Sequence, residues 1–276
     1  MIKRVRKKMP RLGGRKLLLK LQDQLSGELH LGRDAFFDFL RNYGLLIRKR
    51  RFRIRTTNSK HWLRKYPSLI KDFIPDRAHQ LWVSDITFIP TLEGWAFLSL
   101  ITDAYSRKIS GWSLGFTFEA KHNIDTLQMA LKQLPKNIHN VYHHSDRGIQ
   151  YCCQDDVRIL QQCNFQIRMT EHGDLLENPI AERVNGILKD EWLNHMALMS
   201  KKKDTRALIK RIIAIYNAER PHGSINMLVP ELAHNQTGEI KRKWKNYYKE
   251  RKSIDNQQKD ATLDCPTEIR LDITHH

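Results

Sequence analysis

The chain has 276 residues, room for one large domain or two to three modules, and its 40% apolar content suffices for a packed core. No run approaches the ~18 apolar residues of a membrane span, and the charged start MIKRVRKKMPRLGGRK has no apolar segment behind it, which predicts a cytoplasmic protein without membrane partners. Net charge is +18, and the four cysteines lack CxxC spacing, so reduced thiols are expected in place of a disulfide scaffold or zinc site. The charge is uneven: residues 1–80 hold 22 Lys and Arg against 6 Asp and Glu, residues 81–200 hold 10 against 14, and residues 201–276 hold 16 against 10. An acidic middle between basic flanks predicts a catalytic or metal-binding core carried on arms that bind nucleic acid.

In chain order, Leu17, Leu18 and Leu21, then Phe36, Phe37, Leu40 and Leu45, recur at helical spacing and predict two short helices. Gly27 ends the first, Asp34 opens the second and Gly44 stops it. The pair resembles half of a helix-turn-helix unit. RKRRFRIR follows at 48–55 and reads as a basic strand or arm, so Arg48, Lys49, Arg50 and Arg51 are expected on DNA phosphates. A linker is expected over 56–80. From Leu81, the segments LWVSDITFIP, WAFLSLITDA and KISGWSLGF are β-rich and separated by short turns, predicting three strands of an antiparallel meander. A helix carrying Ile124, Leu127, Leu131 and Leu134 comes next, then the strand HNVYHH. Further elements are expected as a helix near 154–163, a short strand at 165–169, and helices over about 179–194 and 202–218. A meander, a helix, a strand and more helices is the order of the ribonuclease H-like fold, an α/β fold whose mixed sheet is flanked by helices.

Three acids stand out against this frame. Asp85 lies inside the first strand, where an unpaired buried carboxylate is costly; Asp146 directly follows the fourth strand; Glu182 falls in the first turn of the helix NPIAERVNGILKDEWL. In a ribonuclease H-like sheet the first and fourth strands are neighbours, so Asp85 and Asp146 meet and the helix carries Glu182 over them. Three converging carboxylates repel one another without a cation, and their hard oxygens select Mg2+ or Mn2+. Two such ions can activate a water or a 3′-hydroxyl and stabilise the leaving oxygen of a phosphodiester.

The boxes WVSDIT, HHSDRGIQY and NPIAERVNGILKDEW resemble those of insertion-sequence DDE transposases with a retroviral-integrase-like core, of the second-reading-frame (OrfB) type. Sixty residues separate Asp85 from Asp146 and 35 separate Asp146 from Glu182, as in that family. ITDAYSRKISGW, Lys189 seven residues after Glu182, and YNAERPH at 216–222 extend the likeness over roughly residues 10–235. Where the family usually has Asp-Asn-Ala ahead of the catalytic Glu, this chain has Glu177, Asn178 and Pro179; Pro179 suits a first helical turn.

The resemblance implies two-metal cleavage at the ends of a mobile element, its terminal inverted repeats, and joining of the freed 3′-hydroxyl to target DNA. It implies a homo-oligomeric synaptic complex near the nucleoid, and a DNA-binding partner or fusion from an upstream frame (OrfA). Asp85, Asp146 and Glu182 would be the catalytic metal ligands. Lys189, Arg147 and Arg220 would contact DNA, although Arg220 and its neighbours Tyr216, Asn217 and His222 could equally cap the last long helix. Asp103, Asn178 and His144 would support the acids, with a plain turn role as the alternative for Asp103. The expected organisation is a basic helix-turn-helix-like region at 1–55, a linker at 56–80, a catalytic core at 81–235 and a basic, polar tail at 236–276. A DNA-binding repressor derived from a transposase and a ribonuclease H-type nuclease are the competing functions.

Overall fold

The computed structural model describes residues 1–25, 32–47, 73–117, 119–145, 154–169, 178–196 and 202–240. The expectations for Gly27, for the arm 48–55, for the linker up to residue 72 and for the tail beyond 240 fall outside them. Five strands form one sheet in the order β3-β2-β1-β4-β5. β1 (Leu81–Thr91), β2 (Gly94–Asp103) and β3 (Ile109–Gly115) are the antiparallel meander, while β4 (Tyr142–Ser145) and β5 (Gln166–Met169) run parallel to β1. This is the ribonuclease H-like arrangement, and each expected strand is present.

Side chains alternate across the pleat, so each strand serves two layers. On one face Trp82, Ile101 and Ile167 pack with Leu127 and Ala130 of α4 (Lys121–Leu131) and Leu160 of α5 (Gln154–Gln162). A Cβ at Gly111 would collide with the Thr126 carbonyl, so glycine is what lets α4 lie this close to β3. On the other face Ile89, Leu98, Leu100 and Leu114 pack with Val184, Ile187 and Leu188 of α6 (Pro179–Leu188) and with Ile209, Ile212 and Tyr216 of α8 (Lys202–Ala218). Full burial of each such side chain contributes about 1.5–3 kcal/mol relative to exposure.

The same second layer takes in the N-terminal helices. Leu17 and Leu21 of α2 (Gly14–Leu25) and Phe36 and Leu40 of α3 (Arg33–Asn42) are buried in one cluster with Trp192, Ile212 and Tyr216. Gly44 stops α3 with φ 64°, as its position predicts. A helix not anticipated, α1 (Ile2–Lys8), precedes them. Its last turn carries Arg6, Lys7 and Lys8, which favours the negative end of the helix dipole, but Ile2 and Val5 alone are too few to mark an apolar face. Tryptophan Nε1 of residue 192 donates to the Lys8 carbonyl at 2.9 Å, and Lys20 Nζ donates to the Glu219 carbonyl at 2.8 Å. The N-terminal helices are thus docked on the layer that carries α6.

Helix α6 does not continue smoothly to residue 194 as its sequence pattern suggests. Lys189–Leu193 form a π-helical turn, followed by the short α7 (Asn194–Met196). A 3₁₀ turn (Gly223–Ile225) and α9 (Pro230–His234), neither expected, end the described chain.

Candidate active site

Asp85 sits in the middle of β1 opposite Leu100 of β2. Two residues from Val83, it shares the face on which Val83 packs with Ala181 and Ile180 of α6. Its carboxylate is half-buried and engaged: Oδ1 accepts the Ile86 backbone N–H at 2.8 Å and Oδ2 accepts the Asn185 side-chain amide at 2.6 Å. An acid is tolerated in this strand because the facing helix supplies a donor. The start of that helix is pinned to the same strand, since Asn178 Nδ2 donates to the Ser84 carbonyl at 3.0 Å. Pro179 occupies the first turn, where a missing N–H costs nothing. Glu182 follows in that turn and is exposed.

Glu182, Asn185 and Lys189 recur at helical spacing and form one face of α6 and the turn after it. Lys189 is half-buried; desolvation lowers its ammonium pKa, and the nearby Asp85 and Asp190 carboxylates oppose that shift. Asn185 was invisible as a functional residue in the sequence. The available signal was its position three residues after Glu182, on the face that must meet Asp85.

The fourth strand brings its end to the same place. Ser145 pairs with Ser84, and His144 with Val83. The buried His144 therefore shares the α6 face, while His143 bonds Ser84 Oγ through Nε2 at 2.7 Å on the other. Asp146 and Arg147, the next residues, lie outside the described residues, as do Arg48, Lys49, Arg50 and Arg51.

Two expectations receive different structural answers. Arg220, expected on DNA, is fully buried, and its Nε and Nη2 donate to Glu191 Oε2 and Oε1 at 2.8 and 2.6 Å. It forms a core ion pair with the π turn that contains Glu191. Asp103 is also buried: Oδ2 accepts the His79 backbone N–H at 2.7 Å, and Oδ1 accepts the Ser106 N–H and Oγ–H, each at 2.8 Å. The Ser106 bonds organise the turn after β2, the alternative role for this residue, and the His79 bond ties that turn to the segment ahead of β1. Asn178 and His144 lie beside β1 near Asp85, as described.

The carboxylates of Asp85 and Glu182 are hard oxygen donors of the kind Mg2+ and Mn2+ take. Glu182 is accessible and Asp85 is held in orientation by Asn185, which fits such an ion. No group of three or more metal-ligating side chains is assembled among the described residues, which exclude Asp146.

A mixed sheet with an acid on its central strand and another on the facing helix defines the class of integrase-type catalytic cores. The chain matches the integrase core domain family over residues 75–174, and a second integrase core domain family over residues 164–230. It is 33% identical over 215 residues to the insertion element IS600 uncharacterized 31 kDa protein of Shigella sonnei, covering 76% of this chain and 78% of that one. It is 34% identical over 168 residues to transposase InsF for insertion sequence IS3fB of Escherichia coli K12, covering 61% of this chain and 58% of that transposase. The chain thus spans a little over half of InsF. Among solved structures, the HTLV-2 integrase catalytic core domain in complex with magnesium superposes with a TM-score of 0.45 at 15% identity, covering 58% of this chain and 98% of that one. The chain belongs to the insertion-sequence transposases with an integrase core, enzymes of the polynucleotidyl-transferase type.

Proposed function

We propose that this transposase binds the terminal inverted repeats of its element, cleaves the phosphodiester at each end and joins the freed 3′-hydroxyl to target DNA. Asp85, Asp146 and Glu182 would hold two Mg2+ or Mn2+ ions. The observation that carries this reading is the docking of α6 on β1, with Asn178 bonded to the Ser84 carbonyl and Asn185 to Asp85. The ions would supply Lewis-acid activation of the attacking oxygen and charge stabilisation of the leaving one. Asn185 holds the Asp85 carboxylate in orientation before DNA arrives. Exposed Glu182 approaches from the helix side, and Lys189 adds a cation on the same face for a DNA phosphate. Arg147 and the run Arg48, Lys49, Arg50 and Arg51 would add further phosphate contacts.

Assembly into a homo-oligomeric complex on paired ends, a DNA-binding partner or fusion from an upstream frame, and a location at the cytoplasmic nucleoid belong to the same proposal. Among the described residues, no helix is long and apolar enough to cross a membrane. The repressor alternative has no observation in its favour. The test is a strand-cleavage and joining assay on end-bearing DNA with magnesium, with and without the upstream-frame protein. Wild type should cut and join; Asp146→Asn should do neither and still shift the DNA in a gel. Hydrolysis without joining would indicate a nuclease instead.

A further inference from the structure

The geometry points to Arg220 and Glu191 as positioning residues, whose buried ion pair holds the π-helical turn Lys189–Leu193 and through it sets Lys189 against Asp85. The inference rests on the proposed DNA role of Lys189 for its functional meaning, but the clamp itself is a property of the fold.

A π turn inserts an extra residue into a helix and rotates everything after it; such turns are rare and need support from outside. Here the Asn194 N–H closes on the Lys189 carbonyl, the i to i+5 bond of the π geometry. The Lys189 ammonium lies within electrostatic reach of the Asp85 carboxylate, while the Glu191 side chain is largely buried and Trp192 fully so. Each of these two buried residues is caught by a different part of the chain. Trp192 is buried and donates to the Lys8 carbonyl. Glu191 takes both arms of the Arg220 guanidinium, and Lys16 Nζ of α2 stands 3.9 Å from its Oε1.

Arg220 is itself immobilised. It is 0% exposed, its Nη1 donates to the Pro221 carbonyl at 3.2 Å, and its guanidinium lies 5.8 Å from the Tyr216 ring centroid. The end of α8, just ahead of Arg220, is fastened to the β2–β3 connection and the start of β3. The Tyr216 hydroxyl donates to the Arg107 carbonyl at 3.1 Å, and the Asn217 amide exchanges two 2.9 Å bonds with the Ile109 backbone. This accounts for four residues of YNAERPH: they form the arm of the clamp. A planar fork on a carboxylate fixes orientation in a way a point charge does not, which is the reason to expect arginine here and not lysine.

The test uses the full-length protein and two readouts. The first is the acetylation rate of Lys189 in the DNA-free protein, read by peptide mass spectrometry as a ratio to exposed Lys210. Arg220→Lys should raise that ratio several-fold, as the turn loosens and Lys189 leaves its half-buried place; an unchanged ratio would overturn the clamp. Glu191→Gln serves as the second variant should Arg220→Lys not fold, with the same two outcomes. The second readout is single-turnover end cleavage in a double-mutant cycle. Arg220→Lys should slow cleavage about tenfold in the wild-type background, as a small misplacement does, and add nothing in a Lys189→Ala background. A general loss of structure would slow both backgrounds alike, and that result would refute the assignment. If wild type cleaved no end DNA, the transposase reading would fall, while the labelling ratio would still decide the clamp.

Discussion

Asp85 and Asp103 stand on neighbouring strands, three register steps apart, since Asp85 lies opposite Leu100 and Asp103 opposite Trp82. Their surroundings differ in kind. Asp103 is fully buried; Oδ1 is taken by the Ser106 N–H and hydroxyl of its own turn, and Oδ2 by the His79 N–H ahead of β1. Asp85 is half-buried, and it accepts its neighbour's N–H and an amide from a helix 100 residues away. The first arrangement spends a carboxylate on local structure; the second holds one in readiness. Full burial makes the first acid structural, and partial exposure leaves the second able to act.

Substitution at the two acids should separate activity from stability, and this is the largest expected effect. Asp85→Asn should bring end cleavage down to assay background with little change in melting temperature. Asp103→Ala should leave several buried donors unsatisfied and destabilise the fold by at least about 3 kcal/mol in urea unfolding. If Asp103→Ala proved as stable as wild type, the turn role would be wrong. A smaller effect is expected at the donor that sets Asp85 apart. Asn185→Ala should reduce cleavage by about 10–100-fold, the usual cost of losing a residue that orients a metal ligand, with DNA affinity kept. Wild-type rates in that variant would show that the amide is incidental.

A third acid, the buried Asp156 on the opposite face of the sheet, sharpens the comparison through pH. Burial without a charged partner pushes its carboxyl up to about 7. Its contribution to stability is therefore full below its ordinary value of 3.8 and lost as pH rises to about 7. Buried His143 runs the other way: burial, with His144 beside it, takes its pKa down to about 3. Burial also takes His222 down to about 2, with the Arg220 charge adding to the shift. An unfolded chain would protonate these rings from 6.5 downward, so they favour the native state above that pH and less with each step into acid. Asp156→Asn should thus steepen the loss of melting temperature between about pH 7 and pH 4. An unaltered slope would mean that Asp156 titrates normally.

Much of this architecture was readable along the chain because it is local. β-rich composition between short turns marked β1, β2 and β3, apolar residues at helical spacing marked α2, α3 and α4, and Asp85 announced itself as an acid inside a strand. Arg220 was misread for a physical reason: a basic residue after a helix looks like surface until its counter-ion is known, and Glu191 lies 29 residues away. The docking of α1, α2 and α3 onto α6 was equally hidden, since an apolar stripe shows that a helix is covered and not what covers it.

By itself, then, the sequence determined the element types, the spacing of the acids and the transposase family likeness, all of which depend on short-range pattern and residue chemistry. Only the tertiary structure decided that Asn185 holds Asp85, that Asn178 ties α6 to β1, that Asp103 takes the His79 N–H, and that Arg220 pairs with Glu191 of the π turn. Each of these is a contact between segments far apart in the chain, and its partner is selected by how whole layers pack, which no local periodicity records.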